Sequence, residues 1–308
     1  MKKFCIAIHG GAGTILQNQM DAKTEQQYRK ALQKALSSGY KVLSKGGTAL
    51  DAVTKAVVVL ENLPLFNAGR GSVFNSKGRQ EMDASIMDGR NLDAGSVAML
   101  QHIKNPVLLA RTVMEKSEHV LLAGKGAEKF AWKHGFKKFP SDYFFTELRY
   151  KQLLLAKREK KVLLDHDDRK FGTVGAVAYD GDGNLAAATS TGGMTNKKFG
   201  RIGDTPIIGS GTWADNQSCA VSCTGSGEYF MRLNVAFHIA SLMLYGKKNL
   251  QQAADHVVHK LLPKIQGDGG IIAVDKNGHL HLSFNTEGMY RAWQYQDEAP
   301  HVAIFHTV

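Results

Sequence analysis

Residues 171 to 179 read FGTVGAVAY, and Thr173 stands at the front of this strand-like run, directly after a charged stretch, KREKKVLLDHDDRK. As an ordinary residue, Thr173 fills a surface at a strand start. As a nucleophile, its hydroxyl needs a base, and the run Val174 to Tyr179 supplies neither histidine nor lysine. A free α-amine on the same residue meets that need. Its pKa of about 7.7 to 8.0 leaves a neutral fraction near neutral pH, and the branched β-carbon restricts χ1 and helps aim the hydroxyl. Such an amine exists only once the peptide bond between Gly172 and Thr173 is cut. Gly172 suits that event, because a residue without a side chain tolerates unusual backbone geometry and lets the hydroxyl reach the carbonyl before it. A Gly-Thr pair alone is common and decides nothing.

Two downstream stretches add to the picture. TSTGGMTNKKFGRIGDTP carries Thr191, Arg201 and Asp204 among glycines, and SCTGSGE carries Thr224, Gly225 and Gly227. An arginine fork grips a carboxylate in bidentate fashion, and an aspartate receives an ammonium, so Arg201 and Asp204 together suit an α-amino acid head group. The Thr224 hydroxyl and the Gly225 amide suit a developing oxyanion. From spacing alone, a surface ion pair with turn glycines explains these residues equally well and is the preferred reading.

The elements that must position them are legible in outline. A buried strand spans 4–9 and ends in a glycine-rich turn, HGGAG. Helical spacing predicts a helix over 23–44 with apolar Tyr28, Leu32, Leu36 and Leu43, and Thr48 with Asp51 caps a second one through Leu60. Strands follow at 83–88 and 94–100, then helices at 106–116, 124–134 and 146–158. Residues 159–172 form a charged break without periodicity. Beyond it a hairpin turns at GDGN, strands are expected at 206–211 and 218–224, helices at 228–245 and 250–265, and a last hairpin turns at Lys276-Asn277-Gly278. Hairpin connections favour antiparallel sheets over a doubly wound parallel one.

The bulk numbers exclude several classes. The 308 residues are 43% hydrophobic and 22% charged, an ordinary globular composition with no apolar run of membrane-spanning length. The apolar run Phe4 to Ile8 is shorter than an export signal requires, which points to the cytoplasm. The net charge of +11 is spread along the chain without a nucleic-acid-binding signature, so a solvated basic surface is expected and no nucleic-acid partner. Cys5, Cys219 and Cys223 are read as buried thiols, and His256 and His259, lacking an HExxH pattern, as ordinary helix residues.

Taken together, GTVGAV, AAATSTGG, GRIGDTP and CTGSGE, with IHGGAG at 8–13, LFNAGRGSVF at 65–74, EMDASIMDG at 81–89 and NTEGMYRAW at 285–293, resemble the plant-type asparaginase and isoaspartyl peptidase family of N-terminal-nucleophile hydrolases. The resemblance covers nearly the whole chain. It implies an α+β fold, a four-layer αββα sandwich, and a precursor that cuts itself between Gly172 and Thr173. The products would be an α subunit (1–172) and a β subunit (173–308), paired as (αβ)₂. It implies Thr173 as nucleophile, supported by Thr191; Arg201 and Asp204 on the substrate's α-carboxylate and α-ammonium; Thr224 and Gly225 as oxyanion hole; Gly227 shaping the pocket; Asn67 near the nucleophile; and Gly10 and Gly11 in a loop tied to maturation. No cofactor is implied for catalysis. A structural sodium ion is implied on the segment Leu60, Glu61, Leu63, Phe66, Ala68 and Arg70, mostly through backbone carbonyls. The activity implied is release of L-aspartate from L-asparagine and β-aspartyl dipeptides. Two alternatives stand beside it. Glycosylasparaginases and threonine aspartases share the plan but place aspartate, not Gly172, before the threonine. A basic protein that is never cut and holds an anionic partner belongs to another class altogether.

Overall fold

The computed structural model describes residues 3–159 and 172–306. In chain order the first part holds β1 (Cys5–Gly13), α1 (Ala22–Leu43), α2 (Ala49–Glu61), β2 (Met82–Asp88), β3 (Ala94–Leu100), α3 (Pro106–Lys116), β4 (Leu121–Ala123), α4 (Gly124–Lys133) and α5 (Glu147–Arg158). The second holds β5 (Val174–Tyr179), β6 (Leu185–Thr191), β7 (Thr212–Ala214), β8 (Cys219–Gly225), α6 (Gly227–Leu233), α7 (Val235–Leu244), α8 (Leu250–His256), β9 (Gly269–Asp275), β10 (Leu280–Phe284), β11 (Gly288–Tyr295) and β12 (His301–Phe305).

The strands form an eight-stranded sheet, ordered β12-β11-β1-β5-β6-β2-β3-β4, and a four-stranded sheet, β10-β9-β8-β7. Every pairing is antiparallel except β3 with β4. Each residue of the central strands is buried, and alternation sorts them between two cores. Ile6, Ile8, Ala176, Ala178, Ala186 and Ala188 face the helices α1, α2 and α3. Cys5, Ala7, Val177, Tyr179 and Ala187 face the other sheet, where Ala220, Ile272 and Val274 meet them. The far side of the small sheet, including Cys219, Val221 and Cys223, packs on α7 and α8. The result is the expected α+β arrangement of helices, two packed sheets and helices.

α1, α2 and α5 begin where a side chain satisfies a free N–H group. Asp21 accepts from Thr24 N–H at 2.8 Å, Thr48 from Asp51 N–H at 3.1 Å, and Thr146 from Arg149 N–H at 3.3 Å.

Several boundaries differ from expectation. β1 does not stop at His9 but runs through HGGAG to Gly13, with a bulge between His9 and Gly11 against β11. The segment 206–211 is not a strand. Pro206 and tight turns from Ile207, Ser210 and Gly211 onto Asp204 and Ile207 carbonyls fold it up, and only a bridge from Ile208 to Thr212 precedes the short β7. The helix expected over 228–245 breaks at Asn234, which adopts φ 51° between α6 and α7. The helix expected over 250–265 loosens into a π-helical turn, Val257–Leu261, before Pro263. β4, β11 and β12 were not anticipated. The charged break lies outside the described residues except for Glu159 and Gly172.

Candidate active site

One polar patch lies at the ends of β5, β6 and β8, on the faces that look between the sheets. Thr173, 7% exposed, directs its hydroxyl to Thr191 Oγ1 at 3.1 Å. Thr191 ends β6 and pairs with Asp83 of β2. Its Oγ1 also accepts the Gly193 N–H at 3.0 Å. Asn67 closes the same corner. Its Nδ2 donates to Gly193 O at 2.7 Å and its Oδ1 accepts Val73 N–H at 3.0 Å.

Gly172 is wedged against Thr224. A β-carbon built on Gly172 would stand 2.6 Å from Thr224 Oγ1 and 3.1 Å from the Cα of Gly11. One built on Gly11, at φ 117°, would meet the Gly172 backbone at 2.5 Å. This close backbone approach is what the two glycines permit, and it brings the 172–173 peptide beside the Thr224 hydroxyl. That hydroxyl also accepts Ala12 N–H at 3.3 Å. Gly11 of HGGAG therefore serves proximity to Gly172 rather than a chain reversal, while Gly10 makes room for the Phe66 ring. Gly225 follows at φ 148° on the last position of β8.

The second half of the patch is a charged slot. Arg201 does not offer its whole fork: Nε and Nη2 each donate to Glu228 at 2.7 Å, which leaves Nη1 and the end-on edge. Gly203, Gly227 and Gly193 line that edge, and β-carbons on them would lie 2.8, 2.9 and 3.5 Å from Arg201 guanidinium nitrogens. Asp204 faces the same slot, 2.7 Å from the β-carbon position of Gly227. It is buried, and its Oδ2 has no hydrogen-bond partner among the described residues. Burial raises its pKa to about 7, against the pull of Arg201. An orphaned buried carboxylate oxygen beside a half-free arginine is costly unless something cationic completes it.

Sequence reasoning missed four contributors here. Glu228, in SCTGSGE, orients Arg201. Lys197 is 2% exposed, donates to Glu81 O at 2.7 Å, and has its pKa lowered by burial. Asp83 is fully buried, with its pKa raised by burial and Lys197 pulling the other way, and accepts Met99 N–H at 2.8 Å. His9 ends the straight part of β1, and its Nδ1 lies 2.9 Å from Thr173 O. Burial takes its pKa down to about 3, so the ring is neutral.

Glu61 was expected only as a carbonyl. Its side chain is fully buried below β6, taking Ser190 Oγ–H at 2.7 Å, Val107 N–H at 2.9 Å and Asn105 Nδ2 at 3.0 Å. Burial raises its pKa to about 7 despite these donors. The segment after it turns back on itself. β-carbons on Gly69 and Gly71 would collide with the carbonyl oxygens of Glu61 and Phe66, and the Pro64 oxygen would be 2.8 Å from the latter.

The sequence model of the asparaginase family matches residues 2–304. The isoaspartyl peptidase of Escherichia coli (strain K12) is 52% identical over 311 residues, covering 99% of this chain and 97% of that protein. That of Salmonella typhimurium is also 52% identical, covering 99% of each. The isoaspartyl peptidase/L-asparaginase of Xenopus laevis is 45% identical over 302 residues, covering 98% and 95%.

Proposed function

Because this chain belongs to the asparaginase family, we propose that it cuts itself between Gly172 and Thr173 and then hydrolyses β-aspartyl dipeptides and L-asparagine to L-aspartate. The observation that carries this reading is the convergence of a buried threonine hydroxyl, a second threonine hydroxyl pressed on the preceding glycine, and an ion-pair slot with an unmet carboxylate oxygen.

In the precursor, the Thr173 Oγ attacks the Gly172 carbonyl carbon. The C–N bond breaks, the acyl group moves to Oγ, and water hydrolyses the ester to leave a carboxylate on Gly172 and an amine on Thr173. In turnover, that amine takes the hydroxyl proton as Oγ attacks the substrate's side-chain carbonyl. Thr224 Oγ1 and the Gly225 N–H receive the oxyanion. Ammonia or an amine leaves with the proton, and water then frees aspartate. Arg201, through its end-on edge, takes the α-carboxylate and Asp204 the α-ammonium. Both substrates present these same two groups, so one slot serves both, with Asn67 and Gly227 shaping it.

Denaturing mass spectrometry of purified protein is expected to show fragments meeting at 172/173, and the cut protein to release aspartate from β-aspartyl dipeptides. An intact chain that releases none sinks the reading. A narrower prediction concerns the slot. Glu228→Gln keeps the shape but weakens the charge-assisted hold on Arg201. KM should rise roughly tenfold with kcat within about threefold, the pattern of lost ground-state binding. An unchanged KM would show that Arg201 keeps its pose unaided.

The residues at the end of α2 and in the loop after it fit a sodium ion. Hard carbonyl oxygens of Leu60, Glu61, Leu63, Phe66, Ala68 and Arg70 would hold it, and the collision of Gly69 and Gly71 β-carbons with such oxygens marks a crowded carbonyl cradle. Its role would be structural, fixing the loop that carries Asn67. Two α and two β pieces assembling as (αβ)₂ belongs to the same proposal. The three cysteines, all free and buried, suit a reducing cytoplasmic setting, and among the described residues no helix is long and apolar enough to cross a membrane.

A further inference from the structure

We propose that a chain of hydroxyls crossing between the two sheets, admitted by the bare Cα of Gly175, locks His9 as its Nδ1–H tautomer and through it fixes the backbone of Thr173. The inference rests on Thr173 being the nucleophile and names a set of positioning residues beneath it.

The chain follows from the strand register. His9 pairs with Gly175, Gly175 with Thr189, and Thr189 with Ser85, so these residues form one row across β1, β5, β6 and β2. Thr212 pairs with Ser222 in the facing sheet. All have the parity that points between the sheets. One row inward on the same face lie Ala7, Val177, Ala187 and Met87, which are apolar. In the other direction lie Thr173, Thr191 and Asp83. The row is thus the polar floor that separates the site from the core.

Its members are bonded end to end. His9 Nε2 is 2.9 Å from Ser222 Oγ, Ser222 Oγ 2.7 Å from Thr189 Oγ1, Thr189 Oγ1 2.5 Å from Thr212 Oγ1, and Thr212 Oγ1 2.7 Å from Ser85 Oγ. The single Ser85 proton is shared between Thr212 Oγ1 and Thr205 O, 2.6 Å away and next to Asp204, and Thr189 has a longer second acceptor in Gly211 O at 3.2 Å. The direction of the chain is set at one end. Thr173 O is a carbonyl and only accepts, so His9 Nδ1 must carry the proton. A neutral ring then accepts at Nε2, which obliges Ser222 to donate. With its proton so used, Ser222 accepts from Thr189, which accepts from Thr212. A carbonyl acceptor and a string of hydroxyls leave the ring a single satisfied tautomer, and in a buried site the alternative leaves a polar atom unpaired.

Gly175 makes the arrangement possible. A β-carbon there would overlap Ser222 Oγ outright and sit 2.5 Å from His9 Nε2. This accounts for the second glycine of GTVGAV, which lies inside β5 as its second residue, where glycine otherwise weakens a strand. Holding the Thr173 carbonyl fixes that residue's ψ. It therefore fixes how the Cα, with its amine and side chain, is presented to the slot, while the branched β-carbon restricts χ1 and so the amine-to-hydroxyl geometry.

The test compares Thr189→Val, which keeps the shape and loses the hydroxyl, with Thr189→Ser, which keeps the hydroxyl. In wild-type protein, ¹⁵N spectra of the imidazoles, with His9 assigned by difference against His9→Asn, should show one Nδ1–H tautomer at neutral pH. Thr189→Val should shift that signal toward a tautomer mixture, slow self-cutting, and lower kcat of the cut fraction roughly tenfold with KM within twofold; Thr189→Ser should recover most of the loss. Should Thr189→Val fail to fold, Ser222→Ala is read by the same signals. Unchanged tautomer and kcat in the folded variant, or a loss confined to KM, overturns the proposal. The tautomer is measured whether or not the chain is cut. An uncut, inactive wild type with a fixed tautomer removes the nucleophile reading alone, and an active wild type with mixed tautomers removes the lock alone.

Discussion

Thr173→Ala is expected to yield a single uncut chain of 308 residues with no measurable aspartate release. One residue carries both reactions in the proposed scheme, so both vanish together. Removing a nucleophile that acts as a unit with its base costs on the order of 10⁴-fold or more in kcat. The wild-type hydroxyl already points at Thr191 Oγ1 and lies next to the Gly172–Thr224 contact, so alanine removes the attacking atom without disturbing a core contact. Thr173→Ser is the informative partner. It keeps the oxygen but loses the methyl that restricts χ1, and should cut and turn over more slowly, not stop. Denaturing mass spectrometry with an aspartate assay reads both variants. Normal cutting of the alanine chain would remove Thr173 from its role.

The second large effect belongs to Asp204. Asp204→Asn is isosteric and should lower kcat/KM by about 10²-fold, the scale of one lost charge-assisted contact of about 1.5–3 kcal/mol to an ammonium. The pH dependence gives the sharper signature. Burial raises this carboxyl to about pKa 7, and only its ionised form attracts an ammonium. For wild type, kcat/KM should therefore lose an additional factor approaching tenfold per pH unit below about 7, on top of any limb from the Thr173 amine. In Asp204→Asn that acid limb should disappear, while any limb from the Thr173 amine, with its ordinary value of about 7.7 to 8.0, remains. An acid limb that persists unchanged would assign it to another group.

The sequence pointed to a candidate site better than to its support. Thr173, Thr191, Thr224, Arg201 and Asp204 were singled out by the resemblance that their short glycine-flanked motifs carry, where spacing alone favoured a surface ion pair with turn glycines. The hairpin of β5 and β6 was legible because its turn and alternation are local. His9 with Ser222 was not: 213 residues separate them, and only register across two sheets brings them together. HGGAG read as a turn because glycines usually mark one; in the fold it continues β1, with Gly11 against the Gly172 backbone and Gly10 against the Phe66 ring. Residues 206–211 carry strand-like isoleucines, yet Pro206 and the glycines let the backbone fold onto the Asp204 carbonyl instead. Asn234 broke a helix that apolar periodicity predicted, since periodicity reports a face and not the conformation of one residue. Glu61 entered only for its carbonyl on the implied sodium segment, because nothing in its neighbourhood announces that its side chain meets Ser190 and Asn105.

The order of the large sheet carries a further consequence. β12 and β11 come from after residue 173, β1 from before it, β5 and β6 from after, and β2, β3 and β4 from before. The two segments interleave like the fingers of clasped hands. A break at 172/173 would release neither, because each holds strands flanked by the other's hydrogen bonds. It would, however, change how the molecule comes apart. The precursor unfolds and refolds as one chain, whereas a cut molecule that unfolds must find its other half again by collision, at a rate set by concentration. Self-cutting would thus turn a reversible fold into one whose persistence depends on never opening, an asset held by the unfolding barrier rather than by equilibrium.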